Sequence, residues 1–79
     1  MLAKLTPIPL DAPGNRSRWR HWKGSNCTVS AVGHHTETGE LLVFYLEESS
    51  GVMFARPLAS WHETVYGKPR FEALTATGK

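Results

Sequence analysis

The chain has 79 residues, of which 41% are hydrophobic and 20% charged, and its formal net charge is +2. This length allows one domain, and the hydrophobic fraction excludes an intrinsically disordered chain. The single cysteine, Cys27, excludes an internal disulfide and therefore the class of disulfide-stabilised secreted mini-proteins, so we expect a cytoplasmic protein. The longest apolar run, Leu41 to Leu46, is too short to span a membrane, and we expect no membrane partner.

The ends of the chain differ in composition from its middle. Residues 1–15 hold three of the five prolines, and we interpret them as an extended arm. Pro7, Pro9 and Pro13 also interrupt any apolar helix of the kind that a signal peptide needs, so none is expected. Residues 16–74 are predicted to form the folded domain, and residues 75–79 a flexible tail.

The first half of the domain has a β pattern. Segment 18–23 predicts a strand, because a turn-forming cluster and a second strand follow it at once. In the second strand, Cys27, Val29 and Ala31 are expected to share one face. A turn over residues 35–40 leads to the run 41–46, which is apolar on both faces and predicts a strand between two others.

The second half of the domain predicts shorter elements. Residues 52–56 form a fourth strand, which Pro57 ends because proline has no N–H to donate to a ladder. The stretch that follows predicts a short helical turn that packs Leu58 and Trp61 onto the core. Short strands are expected near residues 63–66 and 70–73. Together these segments predict a mostly β fold, a small, strongly bent antiparallel barrel of about five or six short strands.

Five motifs in series carry a resemblance to a known family. The stretches "WRHWKG", "VSAVGHHTETGE", "LVFY", "RPL" and "PRFE" resemble, in order and spacing, the bacterial family "domain of unknown function 1653" from about Trp19 to about Glu72. The chain departs from that pattern at Cys27 and at Phe54-Ala55, where one apolar residue replaces another. The resemblance implies a single small SH3-like antiparallel barrel. It implies no activity, because barrels of this kind bind peptides, nucleic acids and small molecules alike.

The first functional hypothesis is a non-catalytic binding module for an anionic small molecule or a peptide. Aromatic side chains would line a groove and arginines would supply the charge. The candidate ligand-binding residues are Trp19, Arg20, His21, Trp22, His35, Tyr45, Arg56 and Trp61. Arg56 and Arg70 stand next to prolines at strand ends, where each either clamps a glutamate (Glu37, Glu63 or Glu72) or presents its guanidinium to an anion.

The second hypothesis is a nucleic-acid-binding module that uses the basic and aromatic stretch 16–24. Cations there would neutralise phosphates while indoles stack on bases. The residues that would do this are Arg16, Arg18, Arg20 and Lys23. As a strand, however, the segment places Trp19, His21 and Lys23 on one face and Arg18, Arg20 and Trp22 on the other, which also fits a purely structural role.

The third hypothesis is a small hydrolase or transferase. His35 and Glu37 would share a face in an extended chain and could act as an acid–base pair. No nucleophile elbow or phosphate loop accompanies them, so we favour a protein that is not an enzyme. Adjacent histidines (His34 and His35) and one cysteine are a poor ligand set, so neither a metal nor a cofactor is expected. A free strand edge predicts a monomer or a weak homodimer.

Overall fold

The computed structural model describes residues 7–74, in which seven strands and one helical turn follow each other. In chain order these are β1 (Arg18–His21), β2 (Asn26–His34), β3 (Leu41–Glu47), β4 (Met53–Pro57), α1 (Leu58–Trp61), β5 (Thr64–Val65), β6 (Lys68–Pro69) and β7 (Phe71–Ala73). Five strands form one antiparallel sheet in the order β4-β3-β2-β1-β7, and β5 pairs with β6. The predicted mostly β fold with one short helical turn is confirmed.

The five-stranded sheet curls, so that its two edge strands approach each other across the core. Arg56 on β4 lies over the ring of Phe71 on β7, with 5.9 Å between the guanidinium carbon and the ring centroid. Tyr45 on β3 also contacts Phe71, at 5.4 Å between ring centroids. This curvature is consistent with the barrel that the sequence predicts, and it gives the sheet a concave face.

The core lies against the concave face and is centred on Trp61, which is fully buried. The Trp61 ring stacks on Phe71 with 3.8 Å between centroids, while Trp19 and Tyr45 meet it edge-on. The helical turn α1 delivers both Leu58 and Trp61 to this core, as the sequence predicts. Aromatic side chains bury a large area each, which allows so short a chain to build a core. The buried apolar residues are Cys27, Val29, Val43, Leu58, Trp61 and Phe71.

A bulge in β2 corrects one expectation. Val29 is opposite Tyr45, but Ala31 is opposite Phe44, so Ser30 is an extra residue in β2. A bulge of this kind restarts the alternation of side chains. Ala31 therefore does not continue the face of Cys27 and Val29, and Val32 packs against the core instead.

The small β5–β6 hairpin contains one strand, β6, that was not predicted from the sequence. Its two central residues, Tyr66 and Gly67, both have positive φ angles, of 52° and 78°. Such angles are those of the tight turn that matches the twist of a two-residue hairpin. Pro69 lies opposite Thr64 in this pair, and a proline normally argues against a strand.

The segment before β1 packs onto the domain. Pro13 is buried and Ala12 packs against the core. The Arg16 N–H donates to the Val29 carbonyl at 2.7 Å, and the Val29 N–H donates to the Ser17 carbonyl at 2.8 Å. The first six residues of the predicted arm and the whole predicted tail, 75–79, lie outside the described residues. Within residues 7–74, no helix has the length and apolar character needed to cross a membrane.

Candidate functional site

Strand β1 separates the residues of the basic and aromatic stretch onto two faces. Trp19 and His21 point to the concave side and are half-buried, whereas Arg18 and Arg20 are exposed on the other side. Lys23 follows in the turn between β1 and β2 and lies beside His21 at a cavity. The predicted alternation is therefore seen over Arg18–His21, but the strand ends there, and Trp22 and Lys23 of the predicted segment 18–23 lie in the turn that follows.

That cavity opens on the concave face and has a volume of about 170 Å³. Four of its lining residues have rings and four carry polar or thiol groups: His21, Tyr45, Phe54, Phe71, Lys23, Ser25, Cys27 and Glu47. Apolar cavities of about 150 Å³ accept a benzene-sized group. The cavity therefore has room for one ring-sized group.

Aromatic contacts fix the walls of the cavity. Tyr45 stacks with Phe54 at 5.7 Å, and His21 meets the ring of Phe71 edge-on at 5.0 Å. Phe71 in turn stacks on the fully buried Trp61. Since each ring rests on another, the wall is connected to the core and held in place by it.

His21 has a strongly cationic environment. Burial lowers the pKa of its imidazole, and the nearby cations Arg56, Arg70 and Lys23 lower it further, while Glu47 opposes them. The backbone N–H of Lys23 donates to His21 Nδ1 at 3.2 Å, so the neutral ring carries its proton on Nε2. The cavity thus combines aromatic walls with a neutral histidine that lies among three positive charges.

The two arginines near His21 have few hydrogen bonds. Arg56 Nη1 donates to Ser60 Oγ at 3.4 Å, and Arg70 Nη2 donates to Glu63 Oε1 at the same distance. The Nε of each arginine is buried, and neither has a hydrogen-bond partner in residues 7–74. Arg70 is thus a loose clamp on Glu63. Arg56 has no carboxylate partner among the described residues.

Cys27 contributes an unreactive thiol to the cavity. The residue is 2% exposed, and burial raises the pKa of its thiol to about 11. Since the thiolate is the nucleophile, a thiol with such a pKa is protonated and inert at neutral pH. Cys27 therefore shapes the cavity and does not bring nucleophilic chemistry to it.

Two predicted ligand-binding residues lie away from the cavity. Arg20 is on the outer side of β1, opposite Glu72 of β7. His35 belongs to the turn between β2 and β3, where its Nδ1 accepts hydrogen bonds from the backbone N–H groups of Glu37 and Thr38 at 3.1 and 3.3 Å. These bonds give His35 a turn-stabilising role, and the acid–base pair of His35 and Glu37 remains a prediction.

The other predicted residues are near the cavity, to different depths. His21 and Tyr45 line it, and Arg56 covers the ring of Phe71. Trp19 and Trp61 lie beneath it in the core, and Trp22 contacts the exposed ring of Tyr66. Five lining residues were not predicted for any site: Ser25, Cys27, Glu47, Phe54 and Phe71; Lys23 was predicted only for nucleic-acid binding. Phe71 belongs to the motif "PRFE", and this motif could have identified it as a candidate site residue.

Arg18 and Arg20, two of the cations predicted for nucleic-acid binding, lie on the outer side of β1, whereas Lys23 lies at the cavity on the concave side. Arg18 forms a paired contact with Glu48, from Nε at 2.9 Å and from Nη2 at 2.8 Å. Thr28 Oγ1 donates to the same carboxylate at 2.9 Å. The hydrogen bonds from Arg18 and Thr28 lower the pKa of Glu48. Glu48 therefore offsets the charge of Arg18, and the use of this stretch for nucleic acid remains a prediction.

In residues 7–74, no group of three or more His, Cys, Asp or Glu residues could hold a metal ion.

Comparison with known proteins gives the family. No curated protein and no solved structure matches the chain. The family model described as "Protein of unknown function (DUF1653)" matches residues 17–73, which is well over half of the chain and includes every strand that builds the cavity. The chain belongs to the DUF1653 family, as its five motifs suggest.

Proposed function

We propose that this protein is a non-catalytic binding module for an anionic small molecule or peptide, with its site at the cavity around His21. The observation that carries the proposal is the placement of three cations, Lys23, Arg56 and Arg70, around a half-buried ring beside an aromatic cavity. Cations in a partly desolvated place attract an anion more strongly than cations in open water. The site therefore favours a negatively charged ligand.

The shape of the site favours a particular kind of anion. The rings of Tyr45, Phe54 and Phe71 offer an apolar surface for one flat or branched group. The guanidinium of Arg56, whose Nη1 makes a long bond of 3.4 Å to Ser60 Oγ, offers its Nη groups to a carboxylate or phosphate beside that surface. A ligand with an apolar group next to an acidic group matches both features.

The decisive test is whether the site prefers an anion or a cation, because Glu47 brings a negative charge to it. Its carboxylate lines the same cavity, so a site dominated by Glu47 and the aromatic rings would prefer a cation. Three probes with one ring and different head groups separate these cases: 3-phenylpropionate, 3-phenylpropanol and 3-phenylpropylammonium. We expect phenylpropionate to bind about fivefold more tightly than the alcohol, and the ammonium to bind most weakly.

The measurement is an amide and side-chain chemical-shift titration of the labelled full chain at low salt. Shifts are expected at His21, Tyr45 and Phe71. A bound carboxylate favours the charged imidazole, so it should also raise the titration midpoint of His21. Preferential binding of the ammonium compound, or equal binding of all three probes, would overturn the proposal.

Two matched variants connect the preference to the site. Arg56→Gln removes the cation over Phe71, and we expect it to abolish the preference for phenylpropionate over the alcohol. Arg20→Gln removes an exposed cation of the same type from the outer side of β1, and the preference should remain. Equal losses in both variants would mean that net charge, and not this site, governs binding.

A further inference from the structure

The strand β4 is an edge of the sheet, and it carries exposed apolar side chains. In the part of the chain that the structure describes, β4 pairs on one side only, with β3. Met53 and Phe54 of β4 are 52% and 43% exposed, and Val52, just before the strand, is 45% exposed. Proteins commonly protect such edges with charges or bulges. An exposed apolar edge beside a ligand site is therefore a feature to explain.

The hydrogen-bonding phase of β4 can be deduced from its hairpin with β3. The Glu47 N–H donates to the Val52 carbonyl at 2.9 Å, so these two residues are a hydrogen-bonded pair. Antiparallel pairs alternate, so Phe54 and Arg56 direct their backbone groups towards β3. Met53 and Ala55 direct theirs outward. Pro57 has the same phase, but its carbonyl accepts a hydrogen bond from Ser60 Oγ at 3.0 Å. Pro57 has no N–H, so two outward donors remain, at Met53 and Ala55.

Alternate side chains of β4 lie on the concave face, beside the cavity. Phe54 lines the cavity, and Arg56, two residues later, lies over Phe71 on the same concave face. A strand added to β4 would direct alternate side chains to that face. The side chains opposite Phe54 and Arg56 would then be two positions apart in the added strand.

We propose that the ligand is an extended peptide that adds to β4 as a strand and places an apolar and an acidic side chain, two positions apart, at Phe54 and Arg56. The proposal rests on the proposed function, because it uses the same anion site. The peptide backbone pairs with the outward groups of Met53 and Ala55, which supplies affinity without sequence preference. The cavity and Arg56 supply the preference for the i, i+2 pair.

The probe is a blocked seven-residue peptide with a central glutamate, a leucine two positions away on each side, and threonine elsewhere. This arrangement presents the same pair in either strand direction. The control peptide has the glutamate exchanged with a neighbouring threonine, which moves its side chain to the opposite face. We expect the control to bind about tenfold more weakly, since it loses the charge-assisted contact with Arg56.

Backbone methylation tests strand addition directly. Antiparallel pairing is the more stable arrangement. With the glutamate at Arg56 and a leucine at Phe54, it places the threonine between them opposite Ala55 and the last threonine opposite Met53, so it uses the N–H groups of these two threonines. Methylating those two nitrogens should weaken binding about tenfold, whereas methylating the leucine and glutamate nitrogens should leave it unchanged. The reverse pattern would indicate parallel addition and would also support the proposal. Equal effects of the two patterns would overturn it.

Two variants of the protein complete the test. Ala55→Pro removes an outward N–H from β4. Pro57 already occupies a position with the same hydrogen-bonding phase, so a proline at Ala55 breaks no bond to β3. Ala55→Ser is the control, because it keeps the outward N–H. We expect peptide binding to be lost only in Ala55→Pro, whose fold is checked by the indole resonance of Trp61. In the unchanged protein, binding of 3-phenylpropionate without binding of the peptide would overturn this inference alone, whereas the absence of a preference for phenylpropionate over the alcohol would overturn the proposed function. Sedimentation that shows a dimer abolished by Ala55→Pro would assign the edge to a second copy and overturn the peptide proposal.

Discussion

The ionisable residues on the two faces of β1 have different electrostatic surroundings. On the outer face, Arg18 is exposed and forms a paired contact with Glu48, so its charge is offset within the sheet. On the concave face, His21 is half-buried and three cations surround it, with Glu47 as the opposing charge. One strand thus carries an ion-paired arginine on its outer face and, on its concave face, a half-buried histidine near three cations, of which Arg70 is paired with Glu63.

This difference separates structural charge from charge available to a ligand. An exposed ion pair contributes little to stability, because water screens it. A cation near a desolvated ring experiences less screening and exerts its field over a longer range. The density of basic residues in the sequence is therefore a weaker guide to a binding surface than the side of the strand on which each of them lies.

The largest expected effect concerns the core beneath the concave face. Trp61→Ala should lower the free energy of unfolding by about 3–5 kcal/mol, because it removes the largest fully buried side chain and its stack on Phe71. Urea unfolding monitored by circular dichroism measures this loss. Trp22→Ala is the matched control, with an expected loss of about 1 kcal/mol, since Trp22 contacts the exposed Tyr66. Similar losses in both variants would contradict a core centred on Trp61.

An intermediate effect is the pH dependence of His21. Its pKa is lowered below 6.5 in the folded chain, so the folded state binds fewer protons than the unfolded state between the two values. The associated stability is fully present above pH 6.5 and falls as the pH decreases through the folded pKa. Urea unfolding at several pH values should show a smaller acid-induced loss in His21→Phe than in the unchanged protein. An identical loss would assign the effect to other groups.

The smallest effect is expected on the outer face. Arg18→Gln should lower the melting temperature by a few degrees at most, because the ion pair that it removes is exposed. The same change should raise the pKa of Glu48 towards its usual value of 4.5, which a carboxyl chemical-shift titration measures. The stability linked to Glu48 is present above pH 4.5 and is lost as the pH falls through the folded pKa. A large loss of stability at neutral pH would remove the contrast between the two faces.

Local patterns in the sequence predicted most of the fold. The alternation of β1, the apolar run of β3, the proline that ends β4 and the pair Leu58 and Trp61 in α1 are all local features. The bulge at Ser30 and the β6 strand were not predicted. A bulge depends on the partner strand as well as on its own residues, and Pro69 obscured the second strand of its hairpin.

The candidate site was predicted only in part, for a physical reason. His21, Tyr45 and Arg56 were identified from residue type, but Phe71 comes from the end of the domain and reaches His21 only because β7 pairs with β1. Arg56 reaches Phe71 only because the sheet curls. Sequence spacing does not encode these long-range contacts, so the sequence reading grouped Arg20 and His35 with residues from which the fold separates them.

The burial of Cys27 gives the protein an internal reporter. A thiol-specific reagent can react with this protonated, 2% exposed group only after the surrounding structure opens. The reaction rate under native conditions therefore measures the opening of the sheet next to the cavity, without any added label. Because Cys27 lines the cavity, a ligand that occupies it should slow the reaction in proportion to its occupancy, which provides a screen for unknown ligands.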